Sequence, residues 1–232
     1  MQTQALNEMK HRQEIQMNNI NFRPMMHDDD HSLYRPTIRD NLATLLTEYT
    51  TSHSKTMVIR FDVTYPKGFM AVEDNSDISA LMKLLIQQCS RNGVSPAYFW
   101  VREQSLRSNN QHYHCMLLLD GNKTCRYYPY LEAAEEIWRR MLNVDKKGLI
   151  HYCDKDSDGK RQANGIILRS DDPNYEDKIE AVVRQAMYLA KDHTKGIYND
   201  GVRDFGMTRL SNISRRRSRS TRREQGRADR FS

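Results

Sequence analysis

The stretch QHYHCMLLLD, residues 111–120, decides the fold of this sequence. Apolar and β-favouring residues fill it and a turn at Gly121-Asn122 follows it, so we expect a strand. Side chains alternate between the two faces of a strand, which puts His112 and His114 on one face, about 7 Å apart at Cα. Two such imidazoles can form half of a metal site. With 8 histidines in 232 residues, the pattern can also arise by chance at a strand start.

Strands precede this stretch on its N-terminal side. Residues 57–66 form one strand, in which every second side chain from Met57 to Tyr65 is apolar and Arg60, Asp62 and Thr64 line the other face. Residues 98–103 form a second strand, which an eight-residue polar loop joins to the histidine strand. Consecutive strands joined by a short loop are antiparallel.

Helical spacing of apolar residues and turn signals supply the remaining elements. They are helices over about 37–50, 129–143 and 175–192, a further helix that Asn75-Ser76-Asp77 caps and Asn92-Gly93 ends, and short strands over 149–152 and 164–169. The sequence therefore predicts an α+β single domain, with a central, mostly antiparallel five-stranded sheet flanked by helices.

The composition argues against a membrane protein. The mean hydropathy is −0.83, and no apolar run approaches the ~18 residues that a membrane helix needs. The cysteines form no Cys-x-x-Cys pair, which favours reduced thiols in a cytoplasmic protein over disulfides or a zinc knuckle. They are Cys89, Cys115, Cys125 and Cys153.

Positive charge is concentrated at the C-terminus. The whole chain carries +6, whereas Arg203 to Ser232 holds ten arginines against three acidic residues, or +7. The body is thus close to neutral. We expect a poorly ordered polar segment over 1–36, a folded domain over 37–200, and a disordered basic tail over 201–232.

Glu103 is the candidate third ligand. It lies near the end of the strand that precedes the histidine strand, and it shares a face with Phe99 and Val101. In the right register its carboxylate joins His112 and His114, and such a mixed nitrogen and oxygen set accepts Mn²⁺ or Mg²⁺ when a phosphate oxygen completes it. The alternative is a surface strand residue.

Tyr188 is the candidate nucleophile. It lies on the last helix with Lys191 on the same face and Arg184 one turn earlier. A phenol is a poor nucleophile at neutral pH unless a cation or base lowers the cost of ionising it, and Lys191 can stabilise a phenolate or a pentavalent phosphorane. The alternative is an amphipathic tyrosine at the edge of the core.

These motifs resemble a known family. The order Phe61-Asp62-Val63-Thr64-Tyr65-Pro66, then His-x-His, then Tyr-x-x-Lys resembles the motifs of rolling-circle replication initiators in the HUH endonuclease superfamily. Val101-Arg102-Glu103, His112-Tyr113-His114 and Tyr188-Leu189-Ala190-Lys191 are similar to the YagK/YfjJ C-terminal family, which includes replication proteins of filamentous phages (inoviruses). The resemblance covers about residues 55–195.

The resemblance implies a DNA nickase of the bacterial host cytoplasm. His112, His114 and Glu103 would hold the metal, and Tyr188, helped by Lys191, would attack the scissile phosphate. The products would be a 5′-phosphotyrosine link and a free 3′-OH for rolling-circle replication. Asp192 stands where two-tyrosine relatives have a second tyrosine, which implies a single-tyrosine mechanism.

The implied partners are single-stranded or stem-loop origin DNA and, after nicking, a host polymerase and helicase. Arginines can add affinity for DNA by neutralising phosphates. The candidates are Arg184, Arg215, Arg216, Arg217, Arg219, Arg222 and Arg223. The alternatives are a transposase or mobilisation nickase on the same fold, and a non-catalytic DNA-binding regulator.

Overall fold

A computed structural model describes residues 21–26, 34–72, 74–104, 111–156, 158–191 and 201–213. The helices are α1 (Phe22–Met25), α2 (Pro36–Ser52), α3 (Ser76–Arg91), α4 (Tyr128–Leu142) and α5 (Tyr175–Ala190). The strands are β1 (Lys55–Thr64), β2 (Ala97–Gln104), β3 (Gln111–Asp120), β4 (Ile150–His151), β5 (Ile166–Arg169) and β6 (Phe205–Met207). The predicted α+β fold is confirmed. None of these helices is both long enough and apolar enough to cross a bilayer.

The sheet is antiparallel throughout its described pairings. Its order is β4-β1-β3-β2-β6, and β5 pairs with β1 as well. Strands β4 and β5 lie end to end along the outer edge of β1, which β4 meets at Asp62 and Val63 and β5 meets at Lys55 to Val58. Strands β2 and β3 form the expected antiparallel hairpin, with β3 at the centre of the sheet, and β6 adds a sixth strand.

Each face of the sheet carries its own apolar core, because alternate side chains point to opposite sides. Helices α2 and α5 cover the face that holds Val58, Met116 and Leu118. Helices α3 and α4 cover the face that holds Tyr113 and Leu117. His112 and His114 have the parity of Met116, so they lie on the side of α2 and α5.

Parts of the two segments expected to lie outside the domain pack against it. In the N-terminal segment, Phe22 and Met26 are fully buried, and helix α1 packs against α2. Strand β6 pairs with the outer edge of β2, and Ile213 is buried. Residues 1–20, 27–33 and 214–232, including the arginines from Arg215 to Arg223, lie outside the described residues.

Candidate active site

The hairpin of β2 and β3 brings three candidate ligand side chains together at the end next to its connecting loop. Glu103 lies directly opposite His112, and Val101 lies opposite His114. The Glu103 Oε2 atom is 2.6 Å from Nε2 of His114 and 3.6 Å from Nε2 of His112. One ligand atom from each of Glu103, His112 and His114 lies within 4.8 Å of the others, so the three can hold one ion. This is the register that a shared site needs.

His114 lies between two carboxylates. Its Nε2 faces Glu103, and its Nδ1 is 2.7 Å from Oδ1 of Asp62. Asp62 reaches the ring because β1 pairs with β3 and puts Asp62 opposite His114. The His114 side chain is 5% exposed, against 26% for His112. His114 is therefore buried on this face of the sheet, and His112 is partly exposed to solvent.

His114 and its two carboxylate neighbours stabilise one another in their charged forms. Burial works against ionised His114, but hydrogen bonds to Asp62 and Glu103 outweigh it and raise the pKa of the imidazole. Burial likewise raises the pKa of Glu103, but hydrogen bonds from His112 and His114 hold that pKa well below its usual value. A neutral imidazole has one N–H and cannot donate to two carboxylates. The metal-free site thus favours a protonated His114.

The donor set fits a divalent cation. Neighbouring ligands around a six-coordinate Mg²⁺ with bonds of ~2.1 Å are about 3 Å apart, and the distances from Glu103 to the two histidines fall on either side of this value. The ion would replace the proton on Nε2 of His114. Asp62 would then bind the opposite nitrogen, as a carboxylate does behind many metal-bound histidines. Two imidazoles and one carboxylate can hold a divalent cation, and the choice of Mn²⁺ or Mg²⁺ stays a prediction.

Helix α5 places Tyr188 beside this cluster. The Tyr188 ring meets the His114 ring at an interplanar angle of 85°, with the centroids 5.2 Å apart. Arg60 lies over the Tyr188 ring with Cζ 3.9 Å from the centroid, and Nζ of Lys191 is 5.3 Å from it. Tyr188 is 39% exposed. The phenol is therefore accessible, next to the ligand cluster and near two cations.

The other predicted side chains divide into two groups. Arg184 forms an ion pair of 3.1 Å with Glu180, and both side chains are largely exposed. Arg215, Arg216, Arg217, Arg219, Arg222, Arg223 and Asp192 lie outside the described residues.

Two contributors were not predicted as part of the site, namely Arg60 and Asp62. Alternation along β1 places both on the face of the histidines, and this was the available signal. It could not indicate that Arg60 meets α5, because that contact joins elements far apart in the chain.

A comparison with protein families assigns the chain to one of them. The model of the YagK/YfjJ C-terminal domain matches residues 15–208. The chain belongs to this family. The YagK/YfjJ match spans every site residue described above, and it also takes in α1 and β6. No curated protein and no solved structure gives a significant match to the chain.

Proposed function

We propose that the chain is an endonuclease that initiates replication by nicking one DNA strand at an origin. Tyr188 attacks a backbone phosphate, forms a 5′-phosphotyrosine link and leaves a free 3′-OH from which rolling-circle synthesis starts. The observation that carries the proposal is the contact between the Tyr188 and His114 rings, 5.2 Å apart between centroids. An accessible nucleophile beside metal-ligating side chains is what metal-assisted phosphoryl transfer needs.

The ligand cluster would bind the cation that contacts the scissile phosphate. A divalent cation bound by His112, His114 and Glu103 would polarise the phosphate and offset its negative charge. Asp62 fixes the orientation of the His114 ring through the bond at Nδ1. Glu103 stays ionised because of its two histidine neighbours, so it is available as an anionic ligand at neutral pH.

Two cations support the attack by Tyr188. Arg60 and Lys191 lie 3.9 Å and 5.3 Å from the ring centroid, so they can offset the negative charge that builds up on the phosphoryl group during the attack. The bond from Oη to phosphorus forms as the bond from phosphorus to O3′ breaks. The phenol gives up its proton to solvent, and the departing O3′ takes one up.

The substrate of this reaction is single-stranded DNA or a strand extruded in a stem-loop, because the phosphate must reach a tyrosine beside the sheet. The arginines beyond residue 213 would hold neighbouring phosphates and add salt-dependent affinity. A host polymerase would extend the 3′-OH, and a host helicase would open the duplex. This sequence of events belongs to the cytoplasm of a bacterial host.

Oligonucleotides labelled at either end test the chemistry. The protein is mixed with single-stranded DNA from the origin of the cognate replicon and with Mn²⁺, and the products are run on a denaturing protein gel. We expect the 3′-labelled fragment to migrate with the protein, since it carries the new 5′ end. The 5′-labelled fragment should be released and should support extension by a polymerase.

Matched variants separate the nucleophile from the fold. Tyr188→Phe should form no adduct, whereas Tyr175→Phe, at the other end of α5, should form as much as the wild type. His112→Ala should lose cleavage and keep DNA binding. No adduct with the wild type on any cognate DNA would exclude the mechanism and leave a DNA-binding regulator. An undiminished adduct with Tyr188→Phe would also exclude it, because the nucleophile would then be a different residue.

A further inference from the structure

A second group of ligating side chains lies next to the first. It consists of Asp62, His151 and Cys153, each of which offers a ligand atom within 4.8 Å of the other two. The Sγ atom of Cys153 is 3.4 Å from Nδ1 of His151. Cys153 is 2% exposed, whereas His151 is exposed at the outer edge of the sheet. The proposed nicking reaction uses neither His151 nor Cys153.

The pairing of β4 with β1 builds this group. His151 lies opposite Asp62, so the two side chains share the face that carries His114. Cys153 follows two residues later with φ of 49°, a left-handed backbone conformation that is uncommon for cysteine. Asn164 holds this loop, because its side-chain amide donates to the carbonyl oxygens of both Tyr152 and Arg60. The cysteine is thus kept beside β1.

The ligand chemistry differs from that of the first cluster. A thiolate, an imidazole and a carboxylate are the usual ligands of Zn²⁺, whereas Mg²⁺ avoids sulfur. In a tetrahedral zinc site with Zn–S of ~2.3 Å and Zn–N of ~2.05 Å, sulfur and nitrogen are about 3.6 Å apart. The distance of 3.4 Å between Sγ of Cys153 and Nδ1 of His151 is close to this spacing. Three protein ligands would leave one coordination position for water.

We propose that Asp62, His151 and Cys153 form a second metal site, which takes Zn²⁺ or a cation with similar ligand preferences. As the bond to sulfur forms, the Cys153 thiol releases its proton to solvent. Asp62 belongs to both groups, since its Oδ1 also binds Nδ1 of His114. A cation at the second site therefore restrains the carboxylate that orients a ligand of the first.

Cobalt(II) titration of the full chain tests this site, because Co²⁺ bound to a thiolate absorbs strongly in the near ultraviolet. The ligands of the first cluster include no sulfur and give no such band. We expect the wild type to develop the band and to saturate at one equivalent of thiolate-bound cobalt. Cys153→Ser should lose the band, and Cys125→Ser, which changes an exposed free cysteine, should keep it.

His151→Ala is a second variant for the cobalt titration, because this exposed side chain can be removed without disturbing the core. It should weaken the cobalt affinity reported by the band at least tenfold. No band in the wild type, an undiminished band in Cys153→Ser, or an unchanged affinity in His151→Ala would overturn the proposal. The readout is spectroscopic, so its result does not depend on DNA cleavage.

Discussion

Replacing Asp62 by asparagine should weaken both the metal-free fold and the metal site. Asp62 accepts a hydrogen bond from Nδ1 of His114 at 2.7 Å, and its side chain is 17% exposed. Asparagine keeps the size and one acceptor oxygen but removes the charge. A hydrogen bond to a charged group contributes about 1.5–3 kcal/mol and a neutral one about 1 kcal/mol. We therefore expect a decrease of about 0.5–2 kcal/mol in the free energy of unfolding.

This decrease should depend on pH with a definite sign. The pKa of His114 is raised in the folded chain above its ordinary value of 6.5. Stability from a protonated His114 is therefore complete below pH 6.5 and is lost as the pH rises through the higher folded pKa. The measurement is urea unfolding in the presence of a chelator. The free energies of unfolding of wild type and Asp62→Asn should differ strongly at pH 6 and less at pH 9.

Metal affinity provides the second measurement on the same variant. Removal of a carboxylate behind a metal-bound histidine typically costs 10- to 100-fold in affinity or activity. We expect a decrease of this size in Mn²⁺ affinity, measured from the paramagnetic resonance signal of free Mn²⁺. Asp120→Asn, at the far end of β3, should change neither quantity. The role assigned to Asp62 would be refuted if wild type and Asp62→Asn had the same free energy of unfolding at each pH and the same Mn²⁺ affinity.

Three further predictions concern other parts of the chain. Deleting residues 214–232 should weaken binding to single-stranded DNA and reduce the salt slope by roughly 0.7 for each phosphate that the tail neutralises, whereas an unchanged slope would mean that the tail does not touch phosphate. Gly206→Ala should lower the free energy of unfolding by about 1–3 kcal/mol, because a Cβ there would lie 2.5 Å from Cζ2 of Trp100; a neutral result in urea would show that β6 shifts freely. In a thiol-reagent assay Cys125 should react at once in the native protein, whereas Cys89, whose pKa burial raises to about 12, should react only on unfolding.

The central hairpin was predictable from the sequence because its signals are local. Alternation fixed the faces of β1, β2 and β3, and the short loop between β2 and β3 fixed their direction. The helices followed from the spacing of their apolar residues, as for Ile38 and Leu42 in α2. The position of Glu103 needed one further fact, the hairpin register, and the structure pairs Glu103 with His112.

Elements without a local signal could not be predicted. Strand β6 has three residues, one of them glycine, and it forms because β2 offers a free edge and Phe205 stacks on Phe99 with ring centroids 5.3 Å apart. Helix α1 is a single turn that Phe22 anchors against α2. The contacts of Arg60 with Tyr188 and of Asp62 with Cys153 join distant elements, so only the folded chain brings them together.

The central claim is that Tyr188 becomes covalently linked to DNA. The most direct measurement is mass spectrometry of the protein after reaction with origin single-stranded DNA and Mn²⁺, followed by nuclease and protease digestion. We predict a nucleotide phosphate on the peptide that contains Tyr188 and none on the same peptide of Tyr188→Phe. A nucleotide attached to a different residue, or a nicked strand with no protein-linked nucleotide, would contradict the account.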